Sequence, residues 1–378
     1  MKKVIFFTSS YKIGLTGQLT EQALSFDKTY RNQFLFISGE KEQFPGLFDR
    51  LDKKKINYTR IQGLDEHSEF HRLVKEFNYY VDQFQPEFVT VHTNWQLAIA
   101  MATKYLYRKK YSLGYVIHGY RNYYRFRSVV ARYLIGLALY LFADYVITPS
   151  SFLKRQFSFL REKNAFIFIG EDEAMFREYS APSFTGTKRF VFPGEFRAGK
   201  GQDLLIRVLK RYIDSSGNDD VELYLPGRGK KLEACKVLSK KLGLEKKVFF
   251  PGFLNREQMR ELYLKCQFAL VPSNIETFGH CIVEPFILGR VVISRHVGVA
   301  DDIIIPGKTG FFFDGEEDLL KVLLTVVSDA ALCAAVAKNA FDQRDPFRWE
   351  NVCKQQFEQI YDKVGTYSNQ KLTPTRCK

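Results

Sequence analysis

The sequence lacks the cysteine patterns that mark a metal centre or a disulfide framework. Its six cysteines are scattered over 378 residues, with no C-x-x-C pair and no histidines at zinc-finger spacing. We therefore expect reduced thiols and a cytosolic protein. The chain also shows no low-complexity tract and no internal repeat of roughly 20 to 50 residues.

Long apolar runs are missing as well. The first residues, MKKVIFFTSS, contain an apolar run too short for the core of a signal peptide, so we predict a first β-strand there. The most apolar segment, residues 129–143, is interrupted by Arg132 and followed by Asp144. This predicts a buried or interfacial helix rather than a membrane span.

Acidic residues are too few to balance the basic ones. Lys and Arg total 56 against 42 Asp and Glu, a net charge of +14, which suits nucleic acid, an anionic membrane or phosphorylated substrates. Between Lys104 and Arg132 lie eight basic residues, several tyrosines and no acidic residue. Such a mixture is typical of a membrane interface or a single-strand binding face, and a solvated basic face is the plainer alternative. The candidate membrane or acceptor contacts are Lys109, Lys110, Arg121, Arg125 and Arg127.

What the chain does contain is a regular succession of short apolar runs, each closed by Gly, Ser, His or Pro. Helix-length stretches such as 71–83 and 231–242 separate them, so we predict two successive doubly wound α/β domains. The Ser/Pro/Gly/Thr-rich stretch 178–188 marks the break. We predict domains at 1–180 and 181–345, followed by a helix and tail at 346–378. The predicted strands are KVIFFTSS, QFLFISG, FVTVHT, GYVIHG, DYVITPS and FIFIG in the first domain, and RFVFPG, ELYLPG, KVFFPG, FALVPS, VVISRH and GFFFD in the second.

Residues 192–206, FPGEFRAGKGQDLLI, almost reproduce the phosphate-binding pattern G-x-x-x-x-G-K-[ST]. The Ser or Thr that would ligate Mg²⁺ is replaced by Gly201, which disfavours an NTPase. A glycine-bearing turn with Arg197 and Lys200 before an amphipathic helix still predicts an anion site. A nucleic-acid-binding NTPase remains the alternative from another class.

Two glutamates, Glu276 and Glu284, flank the predicted start of a helix at Thr277, Phe278 and Gly279. The first free N–H groups of such a helix attract an anion. A sugar nucleotide matches this arrangement, because it offers a sugar and a ribose to the carboxylates and a diphosphate to the helix end. Glutamates at this spacing alone are weak evidence, and either one could be a surface charge.

The whole pattern, from FALVPS through Glu-x7-Glu to GKTGFFF, strongly resembles the donor domain of the GT-B glycosyltransferases, particularly the retaining family 4. Further segments that carry the resemblance are IGLTGQLTEQAL, VIHGYR, ADYVITPSSFLKRQ, GEDEAMF, LYLPGRGKKLEACKVLSKKLGL and KVFFPGFLNREQMRELYLKC. It implies two Rossmann-like domains facing across a cleft, the first binding the acceptor and the second the nucleotide-sugar donor. It also implies a final helix, from about 348 to 364, that crosses back to the first domain.

The resemblance implies roles for particular residues. Lys200 would contact the donor diphosphate, Glu284 the ribose hydroxyls and Glu276 the transferred sugar, while His118 would lie near the anomeric carbon and the acceptor. Two departures from the family stand out: Glu195 replaces a usual arginine, whose charge Arg197 would supply, and Pro285 stands inside the helix, where it predicts a kink. The other implied donor contacts are Gly14, Gly17, Arg197, Phe253, Phe278, Gly279 and His280.

The predicted function is transfer of a sugar from a nucleotide diphosphate, with UDP favoured, to a lipid-linked or glycan acceptor in bacterial surface polysaccharide or lipopolysaccharide synthesis. No metal and no cofactor is expected, since Lys200 and the helix end can neutralise the leaving diphosphate. The expected location is the inner face of the cytoplasmic membrane, bound peripherally to anionic lipid and not to nucleic acid. Two more hypotheses stay open, a transferase that acts on a soluble acceptor and an inactive sugar-nucleotide sensor.

Overall fold

The computed structural model describes residues 2–8, 21–23, 25, 34–39, 47–53, 55–64, 67–118 and 126–363. The chain forms two units, Met1–Asp172 with Pro346–Lys378, and Glu173–Asp345. The composition of the sequence predicts a boundary at residue 180, but residues after 172 pack with the second unit. There the rings of Tyr179 and Phe341 lie 4.6 Å apart, and Arg344 Nη1 donates to the carbonyl of Arg177 at 2.6 Å.

The first unit contains a sheet of seven parallel strands in the order β3-β2-β1-β4-β5-β6-β7. All six predicted runs form strands, although the last begins and ends earlier than FIFIG. The strand β3 was missed because its residues are mostly part-exposed, and only Ile61 is buried. The strands are β1 Val4–Phe7, β2 Phe34–Gly39, β3 Tyr58–Ile61, β4 Phe88–Val91, β5 Ser112–Val116, β6 Tyr145–Thr148 and β7 Asn164–Phe166.

Helices connect these strands and bury one apolar face each. The predicted helix 71–83 is confirmed as Phe70–Phe84, whose buried residues recur at helical spacing. One of them, Phe77, stacks on Phe7 of β1 with ring centroids 4.3 Å apart, so the helix packs directly on the sheet. The described helices of this part of the unit are α1 Leu47–Lys53, α2 Phe70–Phe84, α3 Asn94–Leu106, α4 Phe126–Phe142 and α5 Ser151–Gln156.

Both the buried face and the exposed face of the helix α4 carry apolar residues. Leu139 is fully buried, while an outward stripe of large apolar residues spaced one helical turn apart is at least half exposed. That stripe, which we call the α4 stripe, consists of Tyr133, Leu134, Leu137, Tyr140 and Leu141. Within the described residues, no single helix meets the length and hydropathy expected of a membrane span. One bent pair, Gly315–Val326 with Ala330–Asp342, does so by length and composition.

The second unit contains a sheet of six parallel strands in the order β10-β9-β8-β11-β12-β13. Each strand coincides with a predicted run, because uniformly apolar sequence suits a parallel sheet covered on both faces. The strands are β8 Lys188–Val191, β9 Val221–Tyr224, β10 Val248–Phe249, β11 Phe268–Val271, β12 Val291–Ser294 and β13 Phe311–Phe312. The fold prediction of two doubly wound α/β domains is confirmed.

Glycines delimit the first helix of this unit. Gly201 and Gly217 flank Gln202–Ser216 in left-handed conformations, with φ of 82° and 67°, and the helix buries an apolar face that includes Leu205 and Leu209. The predicted helix 231–242 is confirmed as Leu232–Lys241. The helices are α6 Gln202–Ser216, α7 Leu232–Lys241, α8 Arg256–Lys265, α9 His280–Ile287, α10 Ala300–Ile303, α11 Gly315–Val326 and α12 Ala330–Asp342.

After the second unit the chain returns to the first. The helix α13, Trp349–Gln356, continues as a π-helical turn, Phe357–Tyr361. A side chain at Gly170 would collide with Trp349, since its Cβ would lie 2.4 Å from the indole ring. The hydroxyl groups of Tyr361 and Thr90 lie 3.2 Å apart in the core. The end of the described chain is therefore anchored on the sheet of the first unit.

Five of the six cysteines lie among the described residues, and all five are buried and free of disulfides. Burial raises the pKa of Cys266 and of Cys333 to about 12. These two thiols stay protonated and are poor nucleophiles at neutral pH.

Candidate functional site

In the second unit, the loops that follow β8, β9 and β10 are joined by backbone hydrogen bonds. The N–H of Gly194 donates to Pro226 at 3.0 Å, and the N–H of Gly227 donates to Gly252 at 2.7 Å. Gly227 has a φ of 143°, and a Cβ there would lie 2.0 Å from the carbonyl oxygen of Gly194. Glycine is required because the two loops touch through their backbones.

These loops enclose a cleft of about 430 Å³. One wall carries Phe253, whose side chain is 60% exposed, and the guanidinium of Arg228 lies 5.2 Å from the centre of its ring. An exposed ring beside a cleft of this size offers a stacking surface for a planar ligand. The lining residues are Pro193, Gly194, Glu195, Pro226, Gly227, Arg228, Gly229, Phe253, Leu254 and Met259.

Lys200 and Glu276 form an ion pair in this unit. Lys200 Nζ donates to Glu276 Oε1 at 2.5 Å, and the two side chains are only 12% and 13% exposed. The loop of Glu276 is tied to that of Lys200, since the N–H of Asn274 donates to the carbonyl of Gly199 at 2.9 Å. Because the ammonium group has three protons, one contact with Glu276 leaves two donors for an anion.

The geometry at Gly201 explains why the phosphate-binding pattern is incomplete. Gly201 has a φ of 82°, and a Cβ there would lie 2.9 Å from the Cβ of Pro272 and 3.0 Å from its carbonyl oxygen. A serine or threonine does not fit without displacing the backbone after β11. The structure therefore argues against the NTPase alternative.

The segment before α9 is held by a second close backbone contact. Gly298, with a φ of 55°, allows the loop after β12 to approach, and a Cβ there would lie 2.2 Å from the carbonyl oxygen of Phe278. The same carbonyl accepts from the N–H of Val299 at 2.8 Å. Gly279, with a φ of 99°, then starts α9, and the ring of His280 lies 5.1 Å from that of Phe278. The partially positive end of α9, which begins at His280, comes four residues after Glu276 in the chain.

Glu284 lies one turn into α9, and its carboxylate is held by a residue that sequence reasoning missed. The hydroxyl of Tyr263, on α8, donates to Glu284 Oε2 at 2.9 Å, and Tyr263 is fully buried. No local pattern distinguishes Tyr263 from a core tyrosine. Pro285 lies inside α9, as its place in the sequence predicted, and the helix ends at Ile287.

Arg197 is paired with the glutamate that replaces the expected arginine. Its Nε lies 3.3 Å from Glu195 Oε2, and both side chains are more than half exposed. Exposed pairs of this kind contribute little and exchange partners readily. Arg197 therefore lies on the loop after β8, beside the cleft, and its contact with Glu195 is easily broken.

In the first unit, His118 lies beside another histidine, His92, which sequence reasoning also missed. Nδ1 of His92 and Nε2 of His118 are 2.9 Å apart. Burial, with the neighbouring His118 as a lesser cause, holds the pKa of His92 well below 6.5. His92 comes directly after β4, and the rule that ligands gather at the carboxyl ends of parallel strands would have indicated it.

The basic segment of the first unit is only partly described. The ammonium of Lys109 pairs with Asp82, and Lys110 is exposed. Arg127 lies in α4, but its side chain is outside the described part. The other predicted contacts, Arg121, Arg125, Gly14 and Gly17, lie outside the described residues.

Structures of known proteins define the class of the fold. The structure is similar to that of Alr3699/HepE from Anabaena in complex with UDP, with a TM-score of 0.77 and 21% identity over 95% of this chain and all of that one. It is also similar to the lipopolysaccharide outer core galactosyltransferase WaaB, with a TM-score of 0.71 and 17% identity over 95% of this chain and 99% of that one. The chain has the GT-B fold.

Sequence comparison then shows which known proteins the second unit is similar to. Residues 177–343 match the family described as Glycosyl transferases group 1. A 173-residue segment is 30% identical to the uncharacterized glycosyltransferase YqgM of Bacillus subtilis, covering 46% of this chain and 47% of that one. Another of 175 residues is 28% identical to the phosphatidylinositol N-acetylglucosaminyltransferase gpi3 subunit of Schizosaccharomyces pombe, covering 46% and 38%. The chain thus spans about half or less of these two relatives.

Proposed function

We propose that the protein is a retaining glycosyltransferase that uses a nucleotide diphosphate sugar. The observation that carries this proposal is the largely buried pair of Lys200 and Glu276, which joins the loops after β8 and β11 just before α9. One turn into that helix, Glu284 presents a carboxylate oriented by Tyr263. A cation, a helix end and two carboxylates match the diphosphate, the sugar and the ribose of such a donor.

The donor we favour is a UDP-sugar. Structures of HepE contain UDP or UDP-glucose, and the cleft beside Phe253 offers this chain a stacking surface for a base. Glu284 would accept hydrogen bonds from the ribose hydroxyls, and Glu276 would accept them from the sugar. Lys200 would donate to the diphosphate and, through its existing contact, hold Glu276 toward the sugar.

The reaction we propose keeps the configuration of the anomeric carbon. The bond from that carbon to the diphosphate oxygen breaks while the acceptor hydroxyl bonds to the same face. The acceptor's proton passes to the departing phosphate oxygen, so atoms and charge balance without an enzymic nucleophile. Lys200 and the positive end of α9 stabilise the charge that develops on the diphosphate, which is why we propose metal-independent chemistry.

The acceptor side of the proposal rests on the first unit. The α4 stripe exposes five large apolar side chains, and the basic segment that leads into α4 supplies positive charge. An apolar helix face flanked by basic residues suits insertion into an anionic membrane surface. We therefore propose a lipid-linked or glycan acceptor, peripheral attachment to the inner face of the cytoplasmic membrane, and a role in surface polysaccharide or lipopolysaccharide synthesis.

A thermal-shift screen against UDP, GDP, ADP and their sugar conjugates tests the donor. Stabilisation by one nucleotide diphosphate without added metal is expected, since a ligand of the folded state raises its melting temperature. Turnover of the matching sugar conjugate, with the product's anomeric configuration read by NMR, tests the reaction. Magnesium-dependent ATP hydrolysis would favour the NTPase alternative, and transfer to a soluble acceptor without vesicle binding would remove the membrane part of the proposal.

A further inference from the structure

The histidine pair of the first unit bears on how the acceptor is handled. His92 follows β4 and His118 follows β5, and because these strands are parallel neighbours, both residues lie at the same edge of the sheet. The rings lie nearly parallel, with an interplanar angle of 28° and centroids 5.2 Å apart. At 2.9 Å between Nδ1 of His92 and Nε2 of His118, one nitrogen must donate and the other accept.

The surroundings of His92 decide the direction of this hydrogen bond. His92 is 4% exposed, and its other nitrogen, Nε2, is buried without a hydrogen-bond partner among the described residues. A neutral imidazole carries its proton on one nitrogen only. A proton on Nε2 would be a buried N–H without an acceptor, which native proteins tolerate less than an unused lone pair. The proton therefore belongs on Nδ1, pointing at His118.

A small cavity lies beside the pair. It has a volume of about 20 Å³ and is lined by His92, His118 and Trp349 among others. The nitrogen Nε2 of His92 has less than 1 Å² of accessible surface, so it does not face this cavity and the cavity does not supply it with an acceptor.

We propose that His92 is a positioning residue that donates from Nδ1 to Nε2 of His118 and holds neutral His118 in its Nδ1–H tautomer. This rests on the proposed function and on the role that the family resemblance implies for His118, near the anomeric carbon and the acceptor. With the Nε2 lone pair occupied by His92, His118 cannot take the acceptor's proton at that nitrogen. The acceptor's proton then goes to the departing phosphate, as in the proposed reaction.

The tautomer is tested in the full-length protein, without any donor, by NMR of ring-¹⁵N-labelled histidines at pH 7.5. We expect His118 and His92 each to be protonated on Nδ1, with the exposed His71 as an internal reference for an unconstrained ring. The variant His92→Phe assigns the signals and should return His118 to a mixture of tautomers. Protonation of His118 on Nε2 in the wild type, or an unchanged tautomer in His92→Phe, would overturn the proposal.

Kinetics separate positioning from a purely structural role. His92→Asn keeps an N–H close to the place of Nδ1, so it should retain turnover, while His92→Phe should lower kcat about 10-fold or more without changing the KM for the donor. His71→Asn, on the surface of α2, is the matched control and should behave as wild type. Equal losses in His92→Asn and His92→Phe would contradict the proposal. Absence of transferase activity in the wild type would count against the proposed function, and the NMR result would still decide the tautomer.

Discussion

Lys200 and Glu276 are 76 residues apart in the chain, yet Lys200 Nζ and Glu276 Oε1 lie 2.5 Å apart with both side chains almost buried. A second contact to this carboxylate comes from the thiol of Cys281, whose Sγ lies 3.9 Å from the same oxygen. Burial, followed by the charge of Glu276, holds the pKa of Cys281 well above its usual value, so the thiol stays protonated and donates. The site is thus assembled and charged before a donor arrives.

Removing Lys200 should weaken binding of a nucleoside diphosphate far more than binding of the bare nucleoside, because the lost contact faces only the phosphates. Lys200→Ala should also destabilise the protein by on the order of 3 kcal/mol, since it leaves the largely buried carboxylate of Glu276 without its cationic partner. Calorimetric titration and urea unfolding measure the two effects. Lys200→Ala combined with Glu276→Gln should recover part of the stability but none of the diphosphate affinity. Equal weakening of nucleoside and diphosphate binding would place the lysine away from the phosphates.

Glu284→Gln should lower affinity for the ribonucleotide by about 1 to 3 kcal/mol, the usual scale for a lost hydrogen bond to a charged group. Tyr263→Phe should have a smaller effect in the same direction, because it only releases the carboxylate from its partner. Calorimetric titration with ribo- and deoxyribonucleoside diphosphates checks both, and the wild type should prefer the ribo form. The exposed Glu261→Gln, on α8, is the matched control. Unchanged affinity in a folded Glu284→Gln would remove the ribose assignment.

The two glycines that flank α6 offer a matched test of the site's backbone. Gly201→Ser completes the G-x-x-x-x-G-K-S motif, but the serine fits only if Pro272 moves. It should destabilise the protein by on the order of 3 kcal/mol, because the cost of a positive φ and the cost of the collision with Pro272 are added together. Gly217→Ser has a similar φ but nothing within 4 Å of its Cβ, so about 1 kcal/mol is expected. Urea unfolding compares them. Equal losses would mean that the contact with Pro272 relaxes, and ATPase activity gained by Gly201→Ser would revive the NTPase hypothesis.

The basic and the apolar side chains of the proposed membrane surface should contribute to vesicle binding with different dependence on salt concentration. Replacing Arg121, Arg125 and Arg127 with Ser should remove the salt-sensitive part of binding to vesicles containing phosphatidylglycerol, at roughly 1 kcal/mol per charge near the surface. Replacing Leu134 and Leu137 with Ser should remove the part that persists at high salt. Both variants should bind nucleotide as the wild type does, as measured by titration alongside vesicle co-sedimentation.

Val237→Ser is the control for the α4 substitutions, because Val237 is 67% exposed but lies in the second unit. It should leave vesicle binding unchanged. Wild type that ignores anionic vesicles at low salt would contradict the membrane proposal, and a triple arginine variant that also loses nucleotide binding would place that segment at the donor site.

The histidine pair should make stability depend on pH. Because the folded-state pKa of His92 lies well below 6.5, the unfolded chain takes up a proton first as the pH falls. The folded state therefore loses stability below about pH 6.5, by at most about 1.4 kcal/mol per pH unit for this one group. Unfolding free energies from pH 8 to 5 should fall more steeply for wild type than for His92→Asn. Parallel curves would show that His92 binds a proton as readily in the folded protein as in the unfolded chain.

The sequence by itself determined the two doubly wound sheets, and it predicted Lys200, Glu276 and Glu284 as the central residues of the site. Most of the parallel strands are covered on both faces, which requires apolar residues, and all twelve predicted runs became strands. Lys200, Glu276 and Glu284 were identified because phosphate and sugar sites need these charges at strand ends and helix starts. The strand Tyr58–Ile61 escaped because most of it is part-exposed at the edge of its sheet, which leaves no continuous apolar run.

Only the tertiary structure decided which side chains touch. Tyr263 holds Glu284 from another helix, His92 meets His118 across two strands, and Pro272 excludes a side chain at Gly201. The partners in these contacts are 21, 26 and 71 residues apart in the chain, and no local pattern encodes them. The apolar run 129–143 predicted that α4 is apolar, but only the packing of the helix shows which of its faces stays exposed. Each of these results depends on sheet order and loop approach, which place residues together after the elements have formed.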